Sequence, residues 1–188
     1  MIGIAGLARA GKDTLAKNLA EVIQDDWKCE VEIFSFAKEL KSQMDSFLKK
    51  YYGISAFTED TEEKKIIRDL LVCHGETMKK FYTKTIWADI VVDLIDRNKY
   101  FPIISDVRFD FEAAKVQDNC GSVIHISKIG NEAPNEIEAK NDPKVSKVSD
   151  LVHSWPIYEP DEMDQCKDHA RILWQMLKEN EEWKKIYI

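Results

Sequence analysis

Residues 6–14, G-L-A-R-A-G-K-D-T, carry the residue types and the spacing of a phosphate-binding loop. In the pattern G-x-x-x-x-G-K, the glycines let the backbone turn successive amide N–H groups toward phosphate oxygens. A helix that starts directly after the loop adds the positive end of its dipole, and Lys12 adds a full positive charge. The stretch therefore predicts a site for the phosphates of a nucleotide. The residues predicted to form it are Gly6, Ala8, Arg9, Ala10, Gly11, Lys12, Asp13 and Thr14.

Asp13 departs from the usual pattern, in which a Ser or Thr at that position gives its hydroxyl to a magnesium ion. Two interpretations are open. In the first, the carboxylate caps the following helix and interacts favourably with its dipole. In the second, it approaches Mg²⁺ directly or through water, because carboxylate oxygen is a natural ligand of this cation. Thr14, one residue later, is positioned to hydrogen-bond a phosphate oxygen.

Strands and helices alternate along the chain. Short apolar or alternating runs predict the strands, and apolar residues spaced three and four apart predict the helices between them. Such alternation predicts an α/β fold, a doubly wound and mainly parallel sheet of about five strands flanked by helices, with ligands at the carboxyl ends of the strands. Pro160 and Asp161 are predicted to start the last helix. The predicted strands lie at 2–5, 31–36, 101–106, 122–127 and 151–153.

Composition narrows the class of protein. A chain of 188 residues with 44% hydrophobic content is long enough for one domain with an ordinary core. A formal net charge of −7 provides no broad basic face for a nucleic-acid polymer. No run reaches the ~20 apolar residues of a membrane span. The four cysteines are far apart along the chain, and this spacing predicts buried, reduced thiols. We therefore expect a cytoplasmic protein that binds neither a nucleic-acid polymer nor a membrane.

Four stretches together resemble the phage-type deoxynucleoside monophosphate kinases, within the P-loop nucleoside monophosphate kinase superfamily. One is the loop itself, with its G-K-D-T. FSFAKELK at 34–41 resembles the strand leading into the helix beside the monophosphate site of that family. RDLLVCHGETMKKFYTKTIWAD at 68–89 resembles its stretch from an Arg through a Gly-containing turn to a Trp. SDVRF at 105–109, with Glu112 shortly after, resembles its D-V-R-F strand end.

The resemblance implies a kinase that uses ATP and Mg²⁺ and phosphorylates a deoxynucleoside 5′-monophosphate to the diphosphate. Asp106 ends a predicted strand, which suits it to a carboxylate near Mg²⁺ or to a hydrogen-bond acceptor for the acceptor sugar or Arg108, and Asp13 and Asp106 are the candidate metal ligands. The protein is expected to be a monomer or a homodimer, located in the host cytoplasm if it is phage-encoded. The implied organisation is a single domain, 1–188, with a core at 1–36, 101–127 and 149–188, a monophosphate-binding region at about 37–100 and a lid at about 128–148.

Basic side chains are the groups that such a reaction requires. The acceptor oxygen of a monophosphate is already largely ionised, so alignment of the phosphates and neutralisation of their charge matter more than a general base. Arg9 in the loop, Arg68 and Arg108 are therefore expected to act in catalysis with Lys12. The residues expected to bind the acceptor are Phe36, Lys41, Arg68, Glu76, Trp87, Asp106 and Arg108.

The chain departs from the family pattern in two places. Gly75-Glu76-Thr77 followed by Lys79-Lys80 stands where members carry Gly-Thr and then an Arg, and the segment 128–148 contains no Arg. We therefore hypothesise that Arg9 supplies the transition-state charge from the loop. The weaker auxiliaries in this hypothesis are Lys140, Lys144 and Lys147.

Two alternative functions remain open at this point. The loop reports only on the phosphate donor, so the chain is also compatible with a P-loop kinase of another small metabolite. The Arg-free segment 128–148 and Lys79-Lys80 are compatible with a nucleotide-binding regulatory protein that has no turnover.

Overall fold

The computed structural model describes residues 1–156, 158 and 162–179. Its contacts define two compact units: Met1–Phe34 with Ile95–Ile188, here the sheet unit, and Ser35–Leu94, here the helical unit. The strands are β1 (Ile2–Ala5), β2 (Val31–Phe34), β3 (Phe101–Val107), β4 (Ser122–Ser127) and β5 (Leu151–Ser154). The helices are α1 (Lys12–Trp27), α2 (Phe36–Tyr52), α3 (Thr61–Phe81), α4 (Ile86–Asp96), α5 (Asp110–Asp118), α6 (Glu136–Val148) and α7 (Met163–Glu179).

The five strands form one parallel sheet in the order β2-β3-β1-β4-β5. β1 is central, with Ile2 aligned to Ile103 of β3 on one side and to Ser122 of β4 on the other. All four residues of β1 are buried, as expected for a strand covered on both faces. The predicted fold class, a parallel α/β sheet flanked by helices, is confirmed. The carboxyl ends of β1, β3 and β4 therefore meet at one edge of the sheet.

Helices cover both faces of this sheet. Successive residues of a strand point to opposite faces, so the two faces are read from alternate positions of β1. Gly3 faces α5, where an added Cβ would lie 3.3 Å from Val116 Cγ2. Ile2 and Ile4 belong to the apolar cluster on the other face. Their partners there from α1 and α7 are Leu15, Leu19, Ile23, Leu173, Trp174 and Leu177.

The second strand ends earlier than its sequence predicts. β2 stops at Phe34 because Ser35 caps α2, its side chain accepting a hydrogen bond of 3.2 Å from the Lys38 N–H. Phe36, expected at the end of a strand, therefore lies in the first turn of α2, where it is buried. The segment 128–148, for which the sequence is compatible with a mobile loop or a partly helical flap, contains α6. Pro160 and Asp161 lie outside the described residues.

Gly75 in the helical unit does not form the turn expected from the family resemblance. It lies inside α3, which Asp60 caps by accepting hydrogen bonds from the N–H groups of Glu62 and Glu63. An added Cβ at Gly75 would lie 2.7 Å from Leu40 Cδ1 of α2. The Trp87 indole N–H donates to the Gly75 carbonyl at 3.4 Å. This glycine therefore permits close packing of side chains rather than a change of chain direction.

Two expectations from composition have different outcomes. In the part of the chain that the structure describes, no helix combines the length and the apolar character needed to cross a bilayer. The four cysteines are free thiols, but the expectation that all are buried is wrong for Cys73 and Cys120, which are exposed. Cys73 lies on an exposed face of α3, and Cys120 follows the end of α5 with a φ of 59°. Of the four thiols, only Cys166 of α7 is fully buried.

The chain leaves β1 through Gly6, whose backbone is tightly constrained. Its φ is 137°, a value that side-chain-bearing residues rarely adopt, and an added Cβ would lie 2.2 Å from the Ile126 carbonyl oxygen of β4. Gly130, in the same unit, also has a positive φ of 75°, but no heavy atom lies within 4 Å of its added Cβ. Both glycines therefore have a backbone that disfavours a side chain, but only Gly6 combines it with a steric overlap.

Replacing Gly6 by alanine is expected to destabilise the protein far more than the same change at Gly130. Gly130→Ala should lower the free energy of unfolding by about 1 kcal/mol, the cost of a left-handed backbone. Gly6→Ala adds overlap with a strand carbonyl and should cost more than about 3 kcal/mol. Chemical denaturation of both variants measures the difference. Equal losses would show that the Ile126 carbonyl does not limit this position.

Candidate functional site

The loop between β1 and α1 has the backbone of an anion-binding cradle. Gly6, Arg9 and Gly11 all have positive φ, at 137°, 64° and 93°. The Ala10 N–H donates to the Leu7 carbonyl at 3.2 Å, which closes a turn within the loop. Gly11 is the N-cap of α1 and has no side chain to accept a hydrogen bond, so the first-turn amides of α1 remain available to a ligand. The loop thus presents backbone donors and a positive helix end together.

Lys12 is the cation at the centre of the site. Its Nζ donates to the carbonyl oxygens of Gly6 at 2.8 Å and Leu7 at 2.7 Å, so the side chain folds back along the loop. Burial lowers the pKa of Lys12, and the positive charge of Arg108 lowers it further. Three carboxylates oppose this shift. They belong to Glu138, Asp13 and Asp106.

The carboxyl end of β3 contributes Asp106 and Arg108, in agreement with the predicted convergence of strand ends. Arg108 Nη1 forms an ion pair of 3.0 Å with Glu138 Oε1. The backbone N–H of Arg108 donates to Oε2 of Glu112 at 2.8 Å. Glu112 is buried and also accepts from the Phe109 N–H at 3.2 Å, so it caps α5 and fixes the backbone at Arg108.

Glu138 of α6 is a site residue that the sequence analysis missed. Its Oε2 accepts a hydrogen bond of 2.9 Å from the Ala8 N–H of the loop. Its backbone N–H donates to the Asn135 side chain at 2.9 Å, so Asn135 caps the helix that carries it. The spacing Asn-x-x-Glu indicates a helix start and would have suggested the position of Glu138 in the first turn. No local pattern indicates its contact with a loop 130 residues earlier.

An aromatic group supports the loop from β5 and α7. Trp155 is buried directly after β5, and an added Cβ at Gly11 would lie 2.7 Å from its Cδ1. The Trp155 ring stacks on His169 at a centroid distance of 4.9 Å. His169 in turn hydrogen-bonds the hydroxyl of Tyr158 and the ring of His153. Burial lowers the pKa values of both histidines, which favours their neutral forms beside the indole.

Arg9 is exposed at the tip of the loop. With a φ of 64°, it occupies the left-handed region that residues other than glycine rarely adopt. Its guanidinium forms no hydrogen bond or ion pair with any described residue. A charge with no protein partner on this loop is available to a ligand, as the sequence-based hypothesis for Arg9 requires.

The other predicted site residues lie in the helical unit or next to its start. Arg68 is exposed on α3, and Glu76 pairs with Lys79 at 3.0 Å. Lys41 of α2 has its Nζ 5.9 Å from the centroid of the Phe57 ring. Phe36 and Trp87 are buried, each at 5% exposure. The acceptor-binding roles of these residues remain predictions.

The donor set around Lys12 fits a magnesium-bound nucleotide. Mg²⁺ usually takes one or two protein carboxylates and completes its shell with phosphate oxygens and water. Asp13, in the first turn of α1, and Asp106, on β3, both act on the Lys12 charge and are suited to that role. Among the described residues, no group of three or more His, Cys, Asp or Glu side chains is arranged to hold a metal ion by itself. A metal at this site would therefore depend on ligand oxygens.

Two solved structures that are similar to the chain have TM-scores just below 0.5 and low sequence identity. No protein-family model and no curated protein matches the chain. Dephospho-CoA kinase from Campylobacter jejuni is similar in structure with a TM-score of 0.49 and 14% identity, over 95% of this chain and 98% of that one. Shikimate kinase from Acinetobacter baumannii, in complex with shikimate, is similar with a TM-score of 0.49 and 12% identity, over 96% and 93%. Identities this low leave the activity to be argued from the site itself.

Proposed function

We propose that the protein is a P-loop kinase that transfers the γ-phosphoryl group of Mg-ATP to a deoxynucleoside 5′-monophosphate. The observation that carries this proposal is the group formed by Lys12, the amide-lined loop around it, and Arg108 from the neighbouring strand end. Backbone amides, a lysine and an arginine at the carboxyl edge of a parallel sheet are the set that binds and neutralises nucleotide phosphates.

The donor side of the proposal follows from the loop. Gly6 and Gly11 hold positive φ, and the start of α1 offers amide donors, so the phosphate chain of ATP is the natural ligand. Asp13 and Asp106 are the carboxylates proposed to meet the metal. Mg²⁺ bound with ATP supplies charge neutralisation at the phosphate oxygens.

Transfer between two phosphates requires positioning more than proton removal. Lys12 is proposed to contact the transferred phosphoryl group, with Arg108 approaching the same charge from β3. Arg9, exposed on the loop and unpaired with any described residue, is proposed to stabilise charge that spreads over the equatorial oxygens in the transition state. The acceptor oxygen of a monophosphate is already ionised, so no general base is needed.

The acceptor side of the proposal rests on sequence. The stretches 34–41, 68–89 and 105–109 resemble those that bind the monophosphate in deoxynucleoside monophosphate kinases. They supply Lys41, Arg68 and Arg108, cations suited to a second phosphate. A deoxynucleoside monophosphate is therefore the acceptor we propose, with another small metabolite as the alternative.

An acceptor panel tests the reaction. Incubation with Mg-ATP and each deoxy- and ribonucleoside monophosphate, or with hydroxylated metabolites, should give ADP formation that depends on a deoxynucleoside monophosphate. Lys12→Ala should reduce kcat/KM by about a hundredfold or more, because a charge aimed at the transferred group is lost. Lys17→Ala, on an exposed face of the same helix, should retain activity. Phosphorylation only of a non-nucleotide acceptor would replace the proposed substrate, and no transfer at all would leave a binding protein.

Arg9→Ala tests the source of the transition-state charge. We expect kcat to fall by about a hundredfold or more while the affinity for ATP changes little, because the interaction strengthens only in the transition state. Steady-state kinetics with the preferred acceptor and equilibrium binding of ATP measure the two effects. Arg171→Ala, an exposed arginine on α7, serves as the control. Turnover close to wild type in Arg9→Ala would assign this charge to another residue.

A further inference from the structure

The side chain of Glu138 on α6 occupies a position beside the loop that suits an anionic ligand. Its two carboxylate oxygens are divided between the Ala8 N–H, at 2.9 Å, and Arg108 Nη1, at 3.0 Å. The side chain is only 14% exposed, while the Arg108 side chain that it meets is 48% exposed. A backbone amide and a guanidinium are typical partners of a phosphate oxygen. The chain thus supplies its own anion to the loop.

Lys12 of the loop also responds to this carboxylate. The negative charge of Glu138 raises the pKa of Lys12, against the lowering by burial and by Arg108. Of the three carboxylates that act on Lys12 in this way, Glu138 has the largest effect. Glu138 therefore partly offsets the lowering of the pKa of the same lysine that the proposed reaction requires for the phosphoryl group.

Little room remains beside the seated carboxylate. Glu138 and Arg108 border a cavity with a volume of about 10 Å³, enough for at most one water molecule. The remaining lining residues are Gly6, Leu7, Val107, Asp142 and Val145. Because the Ala8 N–H already donates to Glu138, a phosphate group that takes this N–H must displace the carboxylate oxygen.

Segment 131–142 is attached to the rest of the sheet unit at two further points. The Asn131 side-chain amide donates to the Ala8 carbonyl at 3.0 Å, so Ala8 is held through both its N–H and its C=O. Asp142, one turn beyond Glu138 on α6, contacts Nε2 of buried His125 on β4 at 2.9 Å. These contacts position the first turn of α6 over the loop and hold the carboxylate there.

We propose that Glu138 is an autoinhibitory latch, an internal carboxylate that competes with nucleotide phosphate for the loop and for Arg108. The inference rests on the proposed function, because it requires the loop to bind phosphate. Only molecules in which Glu138 has left the loop can bind phosphate there. The apparent affinity for nucleotide is therefore the intrinsic affinity multiplied by the fraction of molecules with an open loop. On nucleotide binding, Arg108 exchanges a carboxylate partner for a phosphate partner.

Glu138→Gln tests the latch because it retains the shape and removes the charge. We expect the dissociation constants of Mg-ATP and of inorganic pyrophosphate to fall by about tenfold, equivalent to about 1.4 kcal/mol of competition. Pyrophosphate is included because it has no base or sugar and reports on the phosphate contacts alone. Isothermal titration calorimetry measures both constants. Loss of a residue with only a structural role would not tighten binding.

Matched variants complete the experiment. Glu136→Gln removes an exposed charge from the same turn of α6 and should bind as wild type does. Glu138→Ala should also bind more tightly, which repeats the test if the glutamine variant folds poorly. Unchanged or weaker binding in both Glu138 variants, with normal binding by wild type, would overturn the latch alone. Loss of turnover with unchanged affinity would do the same and make Glu138 a catalytic group. Failure of wild type to bind either ligand would overturn the proposed function and the latch with it.

Discussion

The contact between Gly6 and the Ile126 carbonyl is the constraint on which the site depends. Because β1 lies between β3 and β4, the chain that leaves it must pass a strand backbone on its way to α1. A residue without a side chain makes that passage possible. Gly11 plays the same part at the other end of the loop, beneath Trp155. Because packing fixes both ends of the loop, the backbone amides between them are oriented before a ligand arrives. The loop is therefore electrostatically preorganised.

Local patterns predicted the sheet well, and the misses have physical causes. β1 and β4 lie where apolar runs and turn residues predict them, since a strand buried on both faces must be nearly continuously apolar. β2 ends before Phe36, which its sequence places in the strand, because the Ser35 cap starts α2 and outweighs the β propensity of Phe36. Gly75 lies inside α3 and not in the turn that the family resemblance implies, because its missing side chain makes room for Leu40.

Some residues of the site can be predicted from local sequence, and others depend on tertiary packing. Lys12 and the loop follow from a contiguous motif, and Arg108 follows from the rule that parallel strands end at one edge of the sheet. Glu138 follows from neither, because its role depends on how α6 packs against the sheet. Helix patterning places Glu138 in a first turn but does not identify the surface that this turn meets. A contact made by tertiary packing between distant segments leaves no trace in a single sequence.

The charges around Lys12 show which ligand the site complements. Lys12 and Arg108 face three carboxylates, those of Glu138, Asp13 and Asp106, so the cluster is poorly matched to a bare anion. On the proposed function the mismatch is resolved in two steps. Displacement of Glu138 removes one negative charge from the cations, and a metal that arrives with the phosphates is suited to the other two carboxylates. The side chains are therefore complementary to a nucleotide together with its metal, and Asp13, unusual for a loop of this kind, is part of that match.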